Sequence, residues 1–96
     1  MIVRFLPVAR QELEEALHWY EAKTSRLGTA FRSEADHQLA RIREQPLQFP
    51  LMYADIRRAR LRRFPYGIYF KIEGDDIFVI ACFHAARDPT NWQDRV

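Results

Sequence analysis

The chain has 96 residues, room for one hydrophobic core and no second, and with 48% hydrophobic and 14% aromatic residues it is not a disordered or low-complexity segment. Its single cysteine, Cys82, excludes an internal disulfide, and with it a secreted disulfide scaffold. The net charge is only +2, yet arginine outnumbers lysine thirteen to two and five arginines fall between positions 57 and 63, a bias that suits carboxylate or phosphate recognition because the guanidinium is a planar, permanently charged fork.

Ile2 to Leu6 reads as a short strand closed by Pro7, which also fits the first turn of a helix, where its missing N–H is not needed. From Val8 to about Lys23 the apolar residues fall at helical spacing (Val8/Ala9, Leu13, Ala16/Leu17, Tyr20). Glu12, Glu14, Glu15 and Glu21 occupy the other face, and the first three gain from the helix dipole. A break over Thr24 to Gly28 precedes a second helix striped by Leu27, Phe31, Ala35, Leu39 and Ile42. Gln45-Pro46 ends that helix, since the residue before proline is pushed out of the α region. Two helices so closely joined pack as an antiparallel hairpin.

Pro46 to Tyr53 is expected to be an apolar loop lying over the core. The period then changes to two. Along Ile56 to Arg63, if Ala59 and Leu61 face the core, Arg58, Arg60 and Arg62 share the outer face at intervals of roughly 6.5–7 Å. Tyr66 to Glu73 forms the next strand, Gly74-Asp75-Asp76 the turn, and Ile77 to Phe83 a central strand covered on both sides. The predicted fold is α+β: an N-terminal strand, a helix hairpin, a three-stranded antiparallel meander and a polar C-terminal tail around Trp92. The hairpin covers one face of the sheet and leaves the other freer.

Candidate chemistry is sparse. The arginine run is either a charged strand guarded against edge pairing or an anion-binding ladder. His84, at the exit of the central strand, has the pKa range of a general acid or base, and is otherwise a hydrogen-bonded cap. Arg87 and Asp88 read as a surface pair, and Trp92 as an anchor for the tail. His18, His37 and Cys82 form no metal motif, Asp75 and Asp76 are turn residues, and there is no glycine-rich phosphate loop, so neither a metal nor a cofactor is expected. No run reaches the roughly 20 apolar residues of a membrane span, Met1 to Pro7 is too short for a signal peptide, and the cytoplasm is the expected location.

Taken in order, Pro46-x-x-Phe49-Pro50, the arginine-rich Ile56 to Arg63, Phe64-Pro65-Tyr66-Gly67-Ile68-Tyr69-Phe70-Lys71-Ile72 and Ile80-x-x-Phe83-His84-x-x-Arg87-x-Pro89-x-x-Trp92-x-x-Arg95 resemble the RelE/ParE toxin superfamily over nearly the whole chain. Ala9, Glu12, Leu13, Ala16, Trp19-Tyr20-Glu21, Leu27-Gly28 and Phe31 look like the two helices of a ParE-type protein. The resemblance implies the toxin of a type II toxin–antitoxin module, or plasmid stabilisation system, neutralised by a cognate ParD-like antitoxin that wraps the hairpin and sheet. DNA would then be met only indirectly, through the antitoxin. RelE-like members cut mRNA on the ribosome, and ParE-like members inhibit DNA gyrase. At the position where the RelE-like pattern has arginine, this chain has Gly67. Trp92 stands in the region of its C-terminal tyrosine, and Arg58, Arg60 and Arg62 replace its lysines. Arginine can stabilise phosphate charge but cannot take a proton. The resemblance therefore leans to the ParE branch, with Arg58, Arg60, Arg62, Arg63, Arg87 and Trp92 expected to meet the target. Leu13, Leu17, Tyr20, Phe49 and Leu51 are expected either to form part of an antitoxin groove or to belong to the core. The alternatives are an endoribonuclease using His84 as base, and a detoxified relative that only binds its antitoxin.

Overall fold

A computed structural model describes residues 1–85 and residue 95. Strand β1 (Ile2–Phe5) leads into helices α1 (Pro7–Lys23) and α2 (Ser25–Glu44), then a 3-10 turn at Pro46–Gln48, and strands β2 (Leu51–Tyr53), β3 (Ile56–Arg60), β4 (Tyr66–Glu73) and β5 (Asp76–His84). The five strands form one mixed sheet in the order β1-β5-β4-β3-β2. β3, β4 and β5 make the expected antiparallel meander. It is extended at both edges, however: β1 pairs parallel to β5, and β2 pairs antiparallel to β3. The segment expected to be a loop from Pro46 to Tyr53 thus supplies an edge strand.

Pro7 opens α1, as its sequence position suggested. The break between the helices is a single residue, Thr24, whose Oγ1 accepts from the Leu27 N–H at 3.1 Å and caps α2. Gly28 therefore lies inside α2, facing α1. A Cβ there would collide with Cγ of Glu21 and stand 3.1 Å from its Cα, so only glycine lets the two helices meet this closely. Gln45 ends α2 as expected.

The main core lies between the hairpin and one face of the sheet, and includes Ala9, Ala16, Phe31, Ile42, Phe49, Ala59, Ile68, Phe70, Val79 and Cys82. The opposite face is not bare. Ile56, Tyr69, Ile80, Ala81 and Phe83 form a second buried cluster there. A bulge assists it: Tyr69 stands opposite Ala81 and Phe70 opposite Val79, so Ile80 is an extra residue on β5 and joins Ala81 in the second cluster. α2 is also rotated from its expected apolar stripe. Leu27 is exposed, whereas Glu34 and Gln38 are buried beside Phe31, Ala35 and Ile42. Gly74, at φ 59°, turns the β4–β5 hairpin in the left-handed region open to glycine.

Candidate functional site

The five arginines between 57 and 63 do not form one continuous ladder. β3 ends at Arg60; just beyond it the Leu61 N–H bonds to the Tyr66 carbonyl at 2.9 Å and closes the turn into β4. Arg57 lies on the side of Ala59, and its Nη1 donates to the Phe49 carbonyl at 2.6 Å, holding the lead-in to β2. Arg58 and Arg60 project from the opposite face, where they line a small hollow with Gly67, Tyr69 and Ala85. Arg62 and Arg63 turn to α2 instead. Both backbone N–H groups donate to the Glu34 carboxylate, and Arg63 adds an ion pair from Nε at 3.0 Å. Arg62 thus does not share the face of Arg58 and Arg60 as its period-two position implied. Its neighbours around a shallow depression are Ser33, Glu34, His37 and Arg63.

Burial acts to raise the pKa of Glu34. The hydrogen bonds from Arg63 and the Arg62 N–H, together with the Arg63 charge, outweigh it and hold the carboxyl below its ordinary value. Gln38, one turn on, donates from Nε2 to the Arg60 carbonyl and accepts from Arg41 Nη1 at 2.8 Å; Arg41 in turn holds Gln48 Oε1 at 2.8 Å. A polar row on α2 thereby holds the C-terminal end of β3 and the 3-10 turn at Pro46–Gln48. These residues were missed in the sequence, although Glu34 and Gln38 share the helical face of Phe31 and Ile42.

His84 stands elsewhere. Its ring meets Tyr66 edge-on with centroids 5.2 Å apart, and Tyr66 belongs to the aromatic group on the helix side with Tyr20 and Phe31. His84, Tyr66, Glu15 and the exposed Trp19 line a cleft of about 400 Å³ beside α1. Glu12, expected on the solvent face, is partly buried there and accepts from the Cys82 N–H at 3.1 Å and from Arg95 at 2.9 and 3.0 Å. Arg95 also donates to the Ile80 carbonyl at 2.9 Å and lies over the Phe83 ring. β1 is too short to pair with the second half of β5, and Glu12 and Arg95 satisfy polar groups along that edge. The Cys82 thiol is pushed up to about 12, first by burial and then by the Glu12 charge, which makes it inert.

The five expected antitoxin contacts are dispersed. Leu13 and Leu17 line a groove of about 300 Å³ between α1 and α2, whose rim carries Arg10, Glu14, His18, Arg32 and Asp36. Tyr20 is packed among Phe31, Phe64 and Tyr66, and Phe49 is buried against Phe70. Leu51 is 56% exposed on the edge strand, close to the exposed Leu47, Met52 and Tyr53. Arg87 and Trp92 lie outside the described residues. Among the described residues, no group of three His, Cys, Asp or Glu side chains could hold a metal ion, and no helix is long and apolar enough to cross a membrane.

A family model described as "ParE toxin of type II toxin-antitoxin system, parDE" matches residues 3–89. No curated protein matches the sequence. Among solved structures, the chain is similar to one from P. aeruginosa described as a chromosomal ParDE TA system, with a TM-score of 0.75 and 17% identity over 88% of this chain and 95% of that one. At this identity the likeness is one of fold.

Proposed function

This chain belongs to the ParE toxin family of type II toxin–antitoxin systems, and on that premise we propose that it inhibits DNA gyrase by binding it, with no bond-making of its own, until a cognate ParD-like antitoxin neutralises it. The observation that carries this reading is the separation of His84 from Arg58 and Arg60. Phosphodiester cleavage needs a base and charge-stabilising groups converging on one phosphate. His84 lines the cleft beside α1, while Arg58 and Arg60 line a separate hollow with Gly67 and Tyr69; Tyr66 borders both, and His84 is not among the residues of the arginine hollow. Among the described residues lining that hollow there is no carboxylate or imidazole, and such an arginine surface is suited to holding an acidic partner.

Arg58, Arg60, Arg62, Arg63, Arg87 and Trp92 are the residues proposed to meet the target. The geometry divides the described ones into an outer-face pair and a pair beside α2, two places where an acidic surface could be gripped. The groove of Leu13 and Leu17 and the exposed edge at Leu51 are proposed antitoxin contacts, and the cytoplasm is the proposed compartment. Expression in cells with and without the antitoxin gene, with mRNA integrity followed, tests the reading. Growth arrest relieved by antitoxin, with intact transcripts, is the expected outcome. Transcripts cut by the wild type and spared by His84→Ala would overturn it in favour of a ribonuclease. Unimpeded growth without antitoxin would mark a detoxified relative.

A further inference from the structure

Among the side-chain nitrogen and oxygen atoms of the described residues, Arg58 Nε is the one that is shielded from solvent and has no hydrogen-bond partner. Its neighbours in the run are differently placed. Arg57 has the Phe49 carbonyl, Arg63 has Glu34, and Arg60 is exposed. A buried, charged donor without an acceptor is costly, and native structures seldom retain one without a use.

The surroundings of Arg58 define the missing acceptor. Arg60 pairs with Gly67 across the ladder, and Arg58 pairs with Tyr69, so the two arginines flank Gly67 on one face. The Arg58 stem lies where a side chain at 67 would begin: a Cβ there would stand 3.1 Å from Cδ and 3.2 Å from Cγ of Arg58. The hollow they share with Tyr69 and Ala85 measures about 30 Å³. A water oxygen takes up roughly 10–15 Å³ on this scale, so the space suits about two oxygen atoms.

We propose that this hollow is a carboxylate site, filled by one Asp or Glu side chain of the antitoxin, whose binding draws the shielded Arg58 Nε–H round to the carboxylate, with Arg60 facing it. The assignment rests on the toxin–antitoxin reading above and adds the chemistry of the contact. A planar carboxylate matches two oxygens and the side-on guanidinium fork. A phosphate in a nucleic acid strand is bulkier and needs a track of cations along the backbone. Here that track is interrupted, because Arg57 is committed to carbonyls and Arg62 and Arg63 turn to α2. Occupation by the antitoxin would also cover Arg58 and Arg60 against any other acidic partner.

The test follows the Arg58 Nε–H resonance of antitoxin-free toxin by NMR, assigned by its loss in Arg58→Lys, during titration with sodium acetate, inorganic phosphate and sodium chloride. The expected result is a saturable shift with acetate, larger than with phosphate at equal ionic strength and reduced in Gly67→Ala, whose Cβ would displace the Arg58 stem. In parallel, Arg58→Lys should weaken antitoxin binding by roughly tenfold or more, while Arg43→Lys, at an exposed position on α2, leaves it unchanged. No acetate response, a stronger response to phosphate, or an unaltered antitoxin affinity in Arg58→Lys would overturn the proposal. Failure of the wild type to bind antitoxin at all would instead overturn the toxin–antitoxin reading.

Discussion

Arg63 meets Glu34 twice, through its backbone N–H at 2.8 Å and its Nε at 3.0 Å, and so ties the exit of β3 to the middle of α2. The Arg62 N–H shares the same carboxylate. Glu34→Gln keeps the shape but loses the charge, and should cost about 1–2 kcal/mol in urea unfolding at neutral pH. The native pKa is lowered. The contribution is therefore complete above the unfolded glutamate value of about 4.3 and is lost as the pH falls through the native value. Stability of the wild type and of Glu34→Gln should converge on acidification.

Gly28 sits in a helix interior, where alanine would ordinarily stabilise by about 1 kcal/mol. Here the sign reverses. A Cβ would collide with the Glu21 side chain and press on its backbone, 3.1 Å away at Cα, and Gly28→Ala should lose about 1–3 kcal/mol. Removing the Glu21 side chain as well should recover only part of the loss, because the α1 backbone still stands in the way. Thermal unfolding of the single and double variants checks both statements.

Glu12 and Arg95 close the edge of β5 that β1 leaves unpaired. Breaking this largely buried pair by Arg95→Ala should destabilise the fold by about 2–4 kcal/mol. Amide exchange should accelerate at Cys82, whose N–H donates to Glu12. A change in global stability alone, with Cys82 exchange still limited by global unfolding, would count against the edge-closing role.

Cys82 is buried, and its thiol pKa is raised to about 12 by desolvation and the Glu12 charge. In the folded protein it should resist iodoacetamide at pH 8 and react only at the rate of opening, at least 100-fold more slowly than in denaturant, since the thiolate and access are both lacking.

The helices, β4 and β5 were legible because long periodic segments and the Gly74 turn mark them locally. Thr24 alone sufficing as the helix break was not, since Ser25, Arg26 and Gly28 all look like loop residues until Thr24 Oγ1 is seen capping Leu27. β2 was hidden by its brevity and by the prolines before it, Pro46 and Pro50: three exposed residues gain strand character only from pairing with β3. β1 read correctly as a strand, but its parallel partner lies more than seventy residues away. The arginine run shows the same limit. Its period of two holds to Arg60, and then Glu34, distant in sequence, captures the next two N–H groups. His84 was found from its place at a strand end, but its position in the cleft beside α1, apart from the hollow of Arg58 and Arg60, depends on the sheet.

The proposed mode of action of this ParE-family chain is a hold on gyrase. The direct measurement adds purified, antitoxin-free protein to a DNA gyrase supercoiling assay, alongside Arg58→Ala/Arg60→Ala and His84→Ala. Loss of supercoiling by the wild type and by His84→Ala, weakened about tenfold or more in the double arginine variant as charge-assisted contacts are lost, is the result expected. Undiminished supercoiling at saturating toxin would rule out the proposed hold on gyrase.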